Sequence, residues 1–200
     1  MQNLHDMGVY SAAIGTITVG DSNYFPSGGN LADQSFYFDT HEIMCPGDQV
    51  MGGLAFAQGG NRVTLAVWST DADGSNGQWI TSPGGGQDYF GPADKIFVDT
   101  NVVLCPSGQV VKGVQFYQKG NRVAMQIFCF DPKNGSGQWV KASDQSNNDN
   151  YFPSDDGAQV YADANSIVLN AGAKASGVGI WPVDNRMAPY IVLSQTGTQP

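Results

Sequence analysis

The sequence has few charged residues, and few basic ones in particular. Only 14% of its 200 residues are Asp, Glu, Lys or Arg, against about 25% in an average soluble domain. Nine basic residues face 18 acidic ones, which gives a formal net charge of −9. A chain with this charge repels a phosphate backbone, so we expect no nucleic-acid partner.

Long apolar runs are missing as well. The longest, such as residues 123–130, fall far short of the ~20 residues that a membrane span needs. The opening residues have neither the basic start nor the apolar stretch of a signal peptide. We therefore expect a soluble protein without a membrane span. The sequence leaves its compartment open, an extracellular one included.

Catalytic signatures are also absent. The histidines are His5 and His41, and we find no nucleophile elbow, metal-binding helix motif or phosphate loop. The adjacent carboxylates Asp155 and Asp156 would point to opposite faces of a strand, so we interpret them as surface groups. We predict that the protein is not an enzyme and needs no cofactor.

The dominant feature of the sequence is a repeat. Residues 43–56, IMCPGDQVMGGLAF, recur as residues 103–116, VLCPSGQVVKGVQF. Arg62 and Arg122 keep the same spacing of sixty positions, as do Trp79 and Trp139. Self-similarity at a fixed period is typical of proteins built from repeated structural units.

A third, more diverged copy follows, offset by sixty-four positions. All three copies share an aspartate, a glycine, an arginine and a preceding Tyr-Phe pair: Asp39, Asp99 and Asp163; Gly53, Gly113 and Gly177; Arg62, Arg122 and Arg186; Tyr24, Tyr89 and Tyr151. We expect the three glycines to mark places where a side chain would collide with a neighbouring sheet.

The local pattern predicts strands. Apolar runs flank Gly-Asn at positions 60–61, which is a hairpin signal, and no stretch shows sustained helical periodicity. The third copy lacks a Gly-Gln-Trp strand, whereas residues 9–19 precede the first Tyr-Phe pair, where that strand is expected. We infer that this N-terminal strand completes the third repeat and closes a ring without free edges.

These observations predict one all-β domain over residues 1–200. It would contain three repeated antiparallel sheets with pseudo-threefold symmetry, with repeats at about 20–82, at 83–143, and at 144–200 plus 1–19.

The three cysteines do not form a zinc-binding pattern. Cys105 and Cys129 lie in one repeat and could face each other across neighbouring strands, and the sequence leaves open whether they are bonded. Cys45 has Ser69 where its partner would stand. We therefore predict that Cys45 is a small buried hydrophobe.

The second copy resembles vitelline membrane outer layer protein I. The matching residues are Cys105-Pro-Ser-Gly, Gly113, Phe116, Cys129 and Gly137-Gln-Trp139, and the first copy matches at Cys45-Pro46, Gly53, Phe56 and Gly77-Gln-Trp79. The resemblance implies a β-prism of three repeats, a class of domain that often binds carbohydrate. Two features depart from the family: the third copy has Leu169-Asn170 in place of Cys-Pro, and a secretory leader is missing.

The aromatic and polar loops are the best candidates for binding. Sugar recognition combines an aromatic face with hydroxyl-binding polar groups, and the candidates with this chemistry are Asp73, Asn76, Trp79, Asp131, Asn134, Trp139, Tyr24, Tyr89 and Tyr151. The alternative is that the aromatic residues fill the core, because large aromatics are mostly buried.

The repeated arginines have two interpretations. Arg62, Arg122 and Arg186 could bind sugar hydroxyls or a carboxylate. The interpretation that we favour is structural: each would hold its own turn or pair with the aspartate of its copy.

The segment from Asp71 to Gly77 resembles the first half of a calcium loop. Oxygen-bearing side chains alternate there, at Asp71, Asp73 and Ser75, but no closing glutamate follows. We favour an ordinary loop rich in Gly and Asn and predict no metal site.

Together these features predict a lectin-like protein with up to three weak sites for glycans or glycoconjugates. Two alternatives remain: a coat or matrix protein that self-associates, and a receptor-targeting module of a toxin. The sequence does not decide whether the protein forms a homo-oligomer.

Overall fold

A computed structural model describes residues 24–25, 37–82, 89–90, 97–119, 122–142, 151–152, 161–183 and 186–193. These residues form strands that assemble into three sheets, and none of them is helical. The prediction of an all-β fold is confirmed. No helix long and apolar enough to cross a bilayer occurs within these ranges.

Each sheet is built around one long hairpin. The first sheet has the order β15 (Ile167–Val168), β4 (Val50–Gly59), β5 (Arg62–Thr70), β2 (Tyr37–Asp39) and β7 (Tyr89–Phe90), with β6 (Gln78–Thr81) also paired to β5. The second sheet has the order β13 (Tyr151–Phe152), β8 (Phe97–Asp99), β11 (Arg122–Phe130), β10 (Val110–Lys119) and β3 (Ile43–Met44), with β12 (Gly137–Lys141) also paired to β11. The third sheet has the order β1 (Tyr24–Phe25), β14 (Tyr161–Asp163), β17 (Arg186–Leu193), β16 (Ala175–Val183) and β9 (Val103–Leu104).

The first long strand of each hairpin carries an irregularity just before its shared glycine. Such a bulge bends the strand and increases its local twist. The glycine is required because an edge strand passes close to it: a Cβ at Gly53 would lie 2.5 Å from the carbonyl oxygen of Ile167, and one at Gly177 would lie 2.5 Å from that of Val103. The predicted collision is thus confirmed, but the prediction of a neighbouring sheet is wrong, because the neighbour is an edge strand of the same sheet.

Those edge strands are exchanged between sheets. The segment that leads into the hairpin of the first sheet contributes β3 to the second sheet, and the segment before the second hairpin contributes β9 to the third. The segment before the third hairpin contributes β15 to the first sheet. The exchange is therefore cyclic, and each sheet is completed by a strand from a different part of the chain.

The inner faces of the three sheets share one core. Buried side chains from every sheet form a single apolar cluster, which includes Phe38, Leu54, Phe116 and Ile180. The rings of Phe38 and Phe116, from the first and second sheets, meet edge to face at 5.3 Å. Because side chains alternate along each strand, the residues between these core positions point to the outer faces.

The cysteines differ in state. Cys105, which follows β9 at the edge of the third sheet, forms a disulfide with Cys129 on β11 of the second sheet, with 5.4 Å between the Cα atoms. Cys45 is free and buried, so its predicted role as a buried hydrophobe is confirmed. The disulfide therefore connects two sheets.

Some predictions lie outside the described residues. Residues 9–19, which we expect to complete the third sheet, are among them. The division of the chain into three symmetric repeats also stays a prediction at this point.

Candidate functional site

In the first sheet, the predicted site residues fall into two groups at opposite ends of β5. Trp79 pairs with Trp68 toward the end of that strand, whereas Tyr89 lies on β7, beside β2, whose Tyr37 pairs with Arg62 at the start. Trp68 lies six positions after Arg62, which is about 20 Å along a strand. The two groups therefore cannot contact one small ligand together.

The first group is centred on an aromatic platform on the outer face of the first sheet, made of Trp68, Gly77 and Trp79. The two indole rings meet edge to face, with centroids 5.5 Å apart, and Trp79 is 40% exposed. Gly77 lies under the ring of Trp68, where a Cβ would come within 2.2 Å of it. Because Gly77 has no side chain, the Trp68 ring has room to lie over it. We call these three residues the Trp79 platform.

The second sheet repeats the platform with one substitution. Trp139 packs against Phe128, which replaces Trp68, at a centroid distance of 5.6 Å. Gly137 again lies under the aromatic ring. Trp139 is half-buried and lies on the outer face. Neither tryptophan fills the common core, so the alternative of simple core packing does not describe them.

The loop that precedes the Trp79 platform is held by its own polar groups. Asp73 Oδ1 accepts hydrogen bonds from the backbone nitrogen and the hydroxyl group of Ser75, at 2.9 and 2.6 Å. Asn76, with a positive φ of 53°, donates to Asp71 at 2.6 Å. The bonds from Ser75 lower the pKa of Asp73 below its ordinary value. Asp73 is therefore an exposed, ionised carboxylate in the loop that leads into the platform.

The corresponding loop of the second sheet is similarly organised. Asp131 accepts a bond from the backbone nitrogen of Lys133, and Asn134 accepts one from that of Ser136, both at 2.8 Å. Asn134 is exposed, and Asp131 is half-buried. Both loops therefore present fixed polar groups beside an aromatic ring.

The loop geometry fits the ordinary-loop interpretation better than a calcium site. The carboxylate oxygens of Asp71 and Asp73 already accept bonds from Gln49, Ser75 and Asn76. Within the described ranges, no three His, Cys, Asp or Glu side chains come close enough together to hold a metal ion.

The second group surrounds Arg62. Its guanidinium lies 3.7 Å from the buried carboxylate of Asp39 and 4.8 Å from the ring centroid of Tyr89. Tyr89 also meets Tyr37 edge to face at 4.9 Å. Asp39 in addition accepts two hydrogen bonds from His41, at 2.9 and 2.6 Å. The Arg62–Asp39 pair that the structural interpretation predicted is therefore present.

The remaining candidates occupy matching backbone positions. Arg122 pairs with Phe97 and Arg186 with Tyr161, just as Arg62 pairs with Tyr37. Tyr24 and Tyr151 pair with Asp163 and Asp99, as Tyr89 pairs with Asp39. Equivalent backbone positions in each sheet are consistent with a scaffold role for the arginines.

Sequence reasoning missed two outer-face features. Trp181 on the third sheet is 37% exposed and meets Tyr190 edge to face at 6.5 Å. On the second sheet, Lys141 and Lys112 lie over aromatic rings. The sequence does distinguish these two lysines, because the first copy has the uncharged residues Gly52 and Thr81 at the equivalent positions.

No protein-family model and no curated protein matches this chain.

Proposed function

We propose that this chain is a non-enzymatic, lectin-like protein that binds carbohydrate on the outer faces of its first and second sheets. The observation that carries the proposal is the Trp79 platform: an indole, 40% exposed, beside a polar loop that its own hydrogen bonds hold in place. An amphipathic ring of this kind, with one face open to solvent, can stack on the apolar face of a sugar.

Binding would use the two kinds of group that the platform offers. The apolar face of a sugar ring would stack on Trp79, and its hydroxyl groups would bond to Asp73, Asn76 and nearby backbone groups. Trp139, Asp131 and Asn134 would act in the same way on the second sheet. Each site would be shallow and weak, and glycans that engage both sites on one molecule would bind more tightly through their higher effective concentration.

We also propose that the fold is a β-prism with pseudo-threefold symmetry, as in vitelline membrane outer layer protein I. The matching registers support this: Gly53 pairs with Trp68, Gly113 with Phe128 and Gly177 with Val192. An experimental structure in which residues 9–19, which lie outside the described residues, do not complete the third repeat would refute that part of the proposal.

The test of function is a pair of matched tryptophan variants. A glycan array followed by calorimetric titration should identify a saccharide that binds the wild-type protein, and Trp79→Ala should weaken that binding at least tenfold. Trp181→Ala removes a tryptophan of similar exposure, 37%, from the third sheet, which the proposal does not use, and this variant should bind as the wild type does. Both variants should unfold near the wild-type temperature.

Two results would contradict the proposal. The first is that no saccharide binds at millimolar concentration. The second is that both variants bind equally well. Self-association that is independent of sugar, measured by sedimentation, would instead support a coat or matrix function.

A further inference from the structure

The basic residues are concentrated in one part of this acidic chain. Residues 110–141 hold five of the nine basic residues and one of the 18 acidic residues, Asp131. That segment spans β10, β11 and β12 of the second sheet. The three strands together contain three lysines, one arginine and no carboxylate. The second sheet is therefore basic in a chain whose net charge is −9.

Two of these lysines lie across the outer face of the sheet. The Nζ atom of Lys141 is 5.2 Å from the ring centroid of Tyr117, and that of Lys112 is 4.5 Å from the ring centroid of Phe130. Lys112 also donates a hydrogen bond to the carbonyl oxygen of Gly47. These contacts hold both ammonium groups against the sheet, where they flank the Phe128–Trp139 pair.

The other sheets show that the scaffold does not need these lysines. Lys141 pairs with Gln126 in the register in which Thr81 pairs with Ala66. Lys112 occupies the bulge position that Gly52 and Ser176 fill in the other hairpins. Residues that every hairpin shares serve the common fold, whereas these lysines belong to one sheet alone. They are therefore candidates for a function specific to that sheet.

We propose that the outer face of the second sheet binds an acidic polysaccharide, whose carboxylate or sulfate groups contact Lys112 and Lys141. The inference rests on the proposed carbohydrate binding and names the class of sugar. Trp139 and Lys141 lie on the same face two residues apart, which is about 7 Å along a strand. A sugar ring stacked on Trp139 can therefore place an acidic substituent beside Lys141.

The net negative charge of the chain does not prevent such binding at physiological ionic strength. The screening length there is about 8 Å, so exposed carboxylates farther away act weakly on a ligand at this face. Lys141, about 7 Å from Trp139 along the strand, lies within that length of a ligand stacked on the tryptophan. The first sheet has Thr81 and Gly52 at the equivalent positions and should prefer neutral sugars.

The test compares the lysines of the second sheet, Lys112 and Lys141, with Lys174, which lies just before a strand of the third sheet. Binding of polygalacturonate, heparin and neutral dextran is measured by affinity electrophoresis for Lys141→Thr and for the double variant Lys112→Ser/Lys141→Thr. Each substitution introduces a residue that another hairpin already carries at that position. Lys174→Thr, just before β16 of the third sheet, removes one positive charge away from the face and is the matched control.

We expect Lys141→Thr to weaken binding of the acidic polymers about threefold and the double variant to weaken it about tenfold, as for exposed ionic contacts. Lys174→Thr and the binding of neutral saccharides should not change. Equal losses for Lys141→Thr and Lys174→Thr would overturn the proposal, because binding would then follow net charge.

The other outcomes separate this proposal from the more general one. If neutral sugars bind at Trp79 and neither acidic polymer binds, the acidic-sugar proposal fails while the lectin-like function stands. If no carbohydrate binds, both fail. A single-stranded DNA oligonucleotide that binds as tightly as polygalacturonate would also overturn the proposal, and so would a lysine-dependent association between copies of the chain.

Discussion

The hydroxyl group of Tyr190 makes the stability of the third sheet depend on pH. Burial raises the pKa of this tyrosine from 10.0 to about 12. The folded state therefore keeps the phenolic proton at pH values where the unfolded chain has lost it. This contribution to stability is fully present below pH 10 and is lost as the pH rises toward 12.

We accordingly expect the free energy of unfolding to fall between pH 10 and pH 12, with up to about 2 kcal/mol of the loss due to Tyr190. Urea unfolding across this pH range, on wild type and Tyr190→Phe, measures the contribution. The phenylalanine variant should lose less stability over the same range. Identical slopes for the two proteins would show that Tyr190 does not titrate in this way.

At the scale of one strand, Gly77, the residue just before β6, sets the shape of the Trp79 platform. Its missing side chain leaves room for the Trp68 ring, and Trp79 then packs against the edge of that ring. A methyl group at position 77 would have to displace the indole, because 2.2 Å is far inside van der Waals contact.

Gly77→Ala should therefore destabilise the protein by about 1–3 kcal/mol, as overpacking does, and weaken sugar binding at Trp79. Thermal unfolding and calorimetric titration measure the two effects. Gly59→Ala is the control, since its new Cβ would meet only Thr64, at 3.4 Å. Equal behaviour of the two variants would show that the platform tolerates a side chain at position 77.

At the scale of the whole molecule, the disulfide-bonded Cys105 and the free Cys45 occupy equivalent positions, each just after an edge strand. The Cys105–Cys129 disulfide links the third sheet to the second. Cys45 follows β3 at the edge of the second sheet and faces Ser69 of the first. Burial raises the pKa of Cys45 and outweighs the opposing effect of its hydrogen bond with Ser69. Cys45 and Ser69 therefore match Cys105 and Cys129 in position, without a bond between them.

Ser69→Cys should allow a second link of the same kind, between Cys45 and residue 69. A disulfide that closes a loop of this size stabilises a protein by about 2–3 kcal/mol. Thiol titration of the unreduced, denatured variant should find no free thiol, and thermal unfolding should shift upward. Ser69→Ala keeps one thiol and serves as the control. A variant with two free thiols would show that the two positions are too far apart to bond.

Sequence reasoning predicted the features that depend on local pattern or repeated spacing. Four features are of this kind: the hairpin after Val50, the close approach at Gly53, the Arg62–Asp39 pair and the burial of Cys45. The exchange of edge strands was not predictable, because a two-residue strand such as Ile43–Met44 has no periodicity to detect.

The sequence left open whether Trp79 is exposed or buried, and the lysines of the second sheet escaped prediction. A tryptophan after a glycine has the same sequence pattern whether it is buried or exposed. Lys112 and Lys141 are distant in sequence, and only the strand registers bring both onto the face that carries Trp139.

The cyclic exchange of short edge strands has a consequence for how three separate copies could assemble. A sixty-residue copy on its own would extend two short strands that have no sheet to join, as β1 and β3 of the first copy would be, and its own sheet would lack the strand that covers its glycine. Three separate copies would each supply what the next one lacks, and a ring of this kind closes without peptide bonds between its members. A homotrimer of single-copy polypeptides would therefore be a physically complete arrangement of the same strands.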